Sequence, residues 1–154
     1  MKVLLLFPPD WLPSEPYLSL PSLTSVLRPA GHEVIQKDIN VEMYDLMFSE
    51  PFLRNAQKRI GVELNHLHSL AGQQALNDEE RTLMRQLEAC DDHYFQGVIR
   101  NIAEAKRILR NQDDFYDIDK LEWATNVLHE TMAVISLGYY PAQICFPPVE
   151  TDLI

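Results

Sequence analysis

The sequence predicts an α/β chain, and three observations predict it. A continuous apolar run opens the chain, a second follows around residue 35, and most of what comes after has helical spacing. In the first run, Lys2-Val3-Leu4-Leu5-Leu6-Phe7, the residues after Lys2 do not alternate with polar ones, which fits a strand buried on both faces in a parallel sheet. Pro8 and Pro9 end it, because proline has no amide for the ladder. From Asp10 to Pro21 the chain mixes Pro13, Pro16 and Pro21 with Trp11, Leu12, Tyr17, Leu18 and Leu20, an apolar loop of fixed shape.

Ser22 is expected to cap a short helix through Leu23, Val26 and Leu27, stopped by Pro29 and Gly31. His32 to Asn40 then reads as a second strand ending on polar residues. Residues 1–40 thus form a βαβ unit, a partial Rossmann-like start whose crossover is expected to be right-handed. Residues 41–138 form a large, mostly helical remainder. Within it Leu83, Leu87, Val98, Ile102, Ala105 and Leu109 recur at helical spacings, with a break near Asp91-Asp92. Asn77 and Glu80 have the spacing of a capping box. Asp117 or Asp119 starts another helix through Leu121, Leu128, Met132 and Ile135, ended by Gly138. Residues 139–154 hold a third strand over Gln143–Phe146 and a tail. With 154 residues and 46% hydrophobic content, the expectation is a single domain with one core.

Thirteen basic residues against 23 acidic ones give a formal charge of −10. That balance repels nucleic-acid phosphates and anionic lipid, so neither nucleic acid nor membrane is an expected partner. No apolar run approaches the roughly 18 residues of a membrane span, and Met1-Lys2 leads straight into the first run without a signal sequence. Cys90 and Cys145 lie far apart, which suits two reduced thiols in a cytoplasmic protein.

The chemistry turns on the loop after the first strand. Dinucleotide and phosphate sites need glycines there, and residues 8–22 contain none. Rings and aliphatic side chains suit instead a large, flat, mostly apolar ligand over the strand ends. The candidate contacts are Pro8, Pro9, Trp11, Tyr17, Leu18 and Pro21, with Asp38 and Asn40 at the end of the second strand. The same apolar side chains equally serve to cover a sheet edge, and Asp38 and Asn40 serve as turn residues or helix caps.

Three segments in order, KVLLLFPP (Lys2–Pro9), PYLSLPSLTSVL (Pro16–Leu27) and GHEVIQKDIN (Gly31–Asn40), resemble the start of the cobalamin-binding domain of B12-dependent radical S-adenosylmethionine (SAM) proteins. VEMYDL (Val41–Leu46) and LGYYPA (Leu137–Ala142) are similar to chains of that family too, whereas the helical middle matches no part of it. The resemblance implies an amino-terminal piece of a domain that binds cobalamin at the carboxyl ends of its strands. In the parent enzyme, one of methyl transfer or rearrangement, a barrel holding a 4Fe–4S cluster and SAM would follow. Such a cluster needs three closely spaced thiolates, so Cys90 and Cys145 do not provide it and no catalytic residue is assigned here. Other cobalamin proteins carry Asp-x-His-x-x-Gly in the first turn. Here Asp10 is followed at that spacing by Leu12 and Glu15, so no histidine of this turn would ligate cobalt.

Two rival readings belong to other classes: an acidic helical interaction module, and a structural-metal protein using His66, His68, Cys90 and His93. Against the metal, His66 and His68 sit two apart and point to different faces of a helix. Glu79-Glu80, Asp91-Asp92 and Asp113-Asp114 read as caps and solvated faces, since adjacent carboxylates seldom converge on one atom. A two-strand sheet with open edges is expected to make the 154-residue chain self-associate and hold cobalamin weakly. The expected partners are cobalamin, the remainder of the parent enzyme and a second copy.

Overall fold

The structure, a computed structural model, describes residues 1–8, 18–142 and 144. The chain is mostly helical with one small parallel sheet, and it divides into two compact units, Met1–Met47 and Phe48–Ile154, where length and composition pointed to one core.

The first unit runs β1 (Lys2–Phe7), α1 (Ser19–Leu27), β2 (Glu33–Asp38) and α2 (Ile39–Met47). The strands are parallel, in a register from Lys2 opposite Glu33 to Phe7 opposite Asp38. Side chains alternate across a strand, so one face of the pair carries Val3, Leu5 and Phe7 with Val34, Gln36 and Asp38. α1 packs on both strands: Leu20 and Thr24 are buried with Val34, and the Gln36 amide donates to Thr24 Oγ1 and to the Leu20 carbonyl. On the opposite face Leu4, Leu6 and Ile35 are each more than half exposed. This departs from the expectation that β1 is buried on both faces.

Two boundaries also differ. α1 begins three residues before Ser22, whose amide donates to the Leu18 carbonyl, so Ser22 lies inside the helix and does not cap it. Pro21 explains the shift: its fixed φ and missing amide suit a first turn, where amides have no helical partner. Ile39 and Asn40 belong to α2 and not to the second strand, because the Asp38 carboxylate accepts from the Val41 amide at 3.0 Å and starts the helix there. Gly31, at φ +82°, takes the left-handed conformation that ends the turn after α1, as expected of a stop signal.

The second unit contains α3 (Glu50–Ala71), α4 (Asp78–Glu88), α5 (Asp92–Arg110), α6 (Gln112–Phe115) and α7 (Ile118–Gly138). Leu53, Ala56, Ile60 and Leu67 of α3, and Phe95, Val98, Ile102, Ala105 and Ile108 of α5, form buried stripes at steps of three, four and seven. α7 packs against both helices and buries neighbouring pairs such as Val127 with Leu128 and Thr131 with Met132, so it presents two faces to the core. Gly138 closes the α3–α7 contact, since a Cβ there would lie 2.9 Å from Cα, Cβ and O of Ala56.

The caps expected in the second unit are present. Asn77 accepts from the Glu80 amide at 2.8 Å while Glu80 accepts from the Asn77 amide at 2.7 Å, and Asp117 caps α7, which ends at Gly138. The break near Asp91-Asp92 separates α4 from α5, with Asp91 capping the latter. Apart from Ile144, the expected third strand lies outside the described residues. Among the described residues no helix is long and apolar enough to cross a membrane.

Candidate functional site

Parallel register brings the two strand ends of the first unit together. It sets Phe7 beside Asp38, so both strands deliver their carboxyl ends to one place. Pro8 follows Phe7 directly, and Leu18 is the residue before α1. Pro8, Leu18 and Pro21 are all exposed, Leu18 at 68%. Pro9, Trp11 and Tyr17 lie outside the described residues.

At the second strand end, Asp38 is half-buried and caps α2, whereas Asn40 is buried to 2% exposure within the first turn of that helix. Pro8 follows Phe7 and Asp38 ends β2 at the paired strand ends, Leu18 and Pro21 lie at the start of α1, and Asn40 is buried. Two ion pairs, Lys2 with Glu33 and Lys37 with Glu42, each at 3.2 Å, are exposed and contribute little to stability. His32, the histidine of this unit, precedes β2 at its amino end, about 20 Å along the strand from Asp38.

The residues of the metal reading are not brought together. His68 pairs with Glu88 at 3.1 Å, tying α3 to α4, and His66 and His93 are exposed. Cys90 is half-buried, and burial, with the nearby Asp91 carboxylate, pushes its thiol up. Among the described residues no three His, Cys, Asp or Glu side chains are placed to hold an ion.

The acidic pairs act as caps and pairing partners. Asp114 accepts from Lys120 Nζ and from Arg107 Nη1, both at 2.6 Å, which joins α5, α6 and α7. These two cations, Lys120 foremost, hold its carboxyl below the usual range.

Sequence reasoning did not reach one further feature, a cavity of about 570 Å³ bounded by α4, α5 and α7. Its phenols, Tyr94 and Tyr140, donate to Glu130 and Glu79 respectively. These partners are 36 and 61 residues apart in the chain, so no local spacing signals them. Tyr94 titrates well above an ordinary phenol, chiefly through burial and then through Glu130, and Tyr140 is raised chiefly by Glu79.

No family model, curated protein or solved structure matches this chain.

Proposed function

We propose that residues 1–47 bind cobalamin as the Rossmann-like opening of a corrinoid domain, within an enzyme of the radical SAM class whose cluster and SAM are held by other residues. The observation that carries this reading is the parallel pairing of Phe7 with Asp38, followed in the sequence by a segment with rings and no glycine. Ligands of open α/β sheets sit outside such carboxyl ends. Pro8, Leu18 and Pro21 give a flat macrocycle an apolar seat, so the side chains present suit a corrinoid face. Bound there, cobalamin would supply a cobalt centre able to carry a methyl group. This unit would seat the ring through Pro8, Leu18 and Pro21, while its histidine, His32, lies at the far end of β2.

Equilibrium dialysis of the chain against hydroxocobalamin, which registers weak binding as well as tight, tests the reading. An excess of corrinoid on the protein side is expected, reduced in Leu18→Ala and in Tyr17→Ala. Leu18 is largely exposed, so its truncation should leave the melting temperature within about 1–2 °C, corresponding to a few tenths of a kcal/mol. Absence of any such excess, or an undiminished excess in both variants, would overturn the proposal.

A further inference from the structure

The cavity of the helical unit has a consistent electrostatic design. Ala89, Ala133, Leu137 and Ile144 give it apolar walls, and its volume of about 570 Å³ lies within the roughly 300–1,000 Å³ usual for small-molecule sites. Gln86 and Cys90 also line it, and its three hydroxyls, those of Tyr94, Tyr140 and Ser136, are already oriented by the protein. Tyr94 Oη donates to Glu130 Oε1 at 2.9 Å and Tyr140 Oη donates to Glu79. Ser136 Oγ donates to the Met132 carbonyl at 2.9 Å and accepts from the Ile144 amide at 2.9 Å. Each hydroxyl proton is thus engaged within the protein, and what the phenols leave for a ligand is oxygen lone pairs and electron-rich ring faces.

Charge points the same way. Among the described residues no Lys, Arg or His lines the cavity, whereas the carboxylates of Glu79 and Glu130 accept from the two phenols and Asp91 adjoins Cys90. Lys58 and Arg59 line a separate hollow that shares only Leu137 and Tyr140 with this one. Arg59 is itself engaged, donating to the Gly138 carbonyl at 2.9 Å and lying over the Tyr139 ring at 4.4 Å.

We propose that this cavity binds a small organic cation with an apolar body, an alkyl- or arylammonium. Aliphatic walls take the body, while the two phenol rings and the carboxylates that accept from them attract the charge. An anion would meet carboxylates with no lining cation among the described residues to offset them.

Titration of the full chain with benzyltrimethylammonium, followed by amide chemical shifts, tests this against two comparators: neopentylbenzene, its neutral isostere, and benzoate. The cation is expected to saturate the resonances of α4, α5 and α7, about three- to thirtyfold more tightly than the isostere, the range that cation–π attraction supports. Benzoate is expected not to bind. Ala133→Phe fills the cavity from an exposed helical position and should abolish the response. Should that variant unfold, Glu130→Gln tests the charge instead, weakening the cation while leaving the isostere unchanged. Equal affinity for cation and isostere, saturable benzoate binding, no saturable response to the cation, an undiminished response in a folded Ala133→Phe, or unchanged cation affinity in Glu130→Gln would each overturn the proposal.

Discussion

Asp114 shows how much one side chain can organise. Its carboxylate takes Lys120 from α7 on one oxygen and Arg107 from α5 on the other. Because these contacts lower its folded pKa, the stabilisation they bring is present above the ordinary carboxylate range and is lost as pH falls through the lowered value. Asp114→Asn should therefore melt below the wild type at neutral pH, with the gap closing in strong acid; a gap independent of pH would show that the carboxylate's charge is irrelevant. Gly138 acts through space it leaves empty. Gly138→Ala forces a Cβ against the Ala56 backbone, and overpacking of this kind costs about 1–3 kcal/mol. Urea unfolding measures it, and a neutral substitution would mean that α3 and α7 relax apart without cost.

At the scale of the element, capping and periodicity explain where the helices of the second unit begin and which face they bury. Asn77 and Asp91 each satisfy amides that a helix start leaves without partners. Asn77→Ala and Asp91→Ala should each cost about 1 kcal/mol, and nearly additively, since they cap different helices. The interior of α5 matters more. Phe95 is fully buried, and Phe95→Ala should cost about 3–5 kcal/mol by leaving a cavity between packed helices. Chemical denaturation followed by circular dichroism would rank the three, and a Phe95 effect no larger than a cap's would contradict the packing described for this helix.

For the molecule as a whole, the two units differ in how well they cover their apolar surface. The helical unit buries stripes from four helices, whereas the first unit buries Leu20 and Val34 and leaves Leu4, Leu6 and Ile35 open on one sheet face. That face carries Lys2 and Lys37 with Glu33 around an apolar centre, a pattern that complements itself when two copies are related by a two-fold axis. Self-association is the expected outcome, read as a concentration-dependent mass in light scattering. Ile35→Lys, at a position already exposed, should shift the equilibrium toward monomer. A mass constant across concentrations, equal to one chain, would remove this expectation.

Much of the architecture was legible in residue order because its causes are local. The capping box at Asn77 and Glu80, the stop at Gly31 and the apolar spacing of α5 depend on atoms within a few turns of one another, so sequence determined them. The pairing of two apolar runs through one helix into a βαβ unit was legible for the same reason: its connection is short. Tertiary structure decided the rest. It drew Ile39 and Asn40 into α2, left one face of β1 open, and divided the chain into two cores. It also set Tyr94 against Glu130 and Tyr140 against Glu79, pairs that form only once α4, α5 and α7 have packed. Those contacts join residues far apart in the chain, and their free energy depends on burial and distance in the folded unit, quantities that no local pattern encodes.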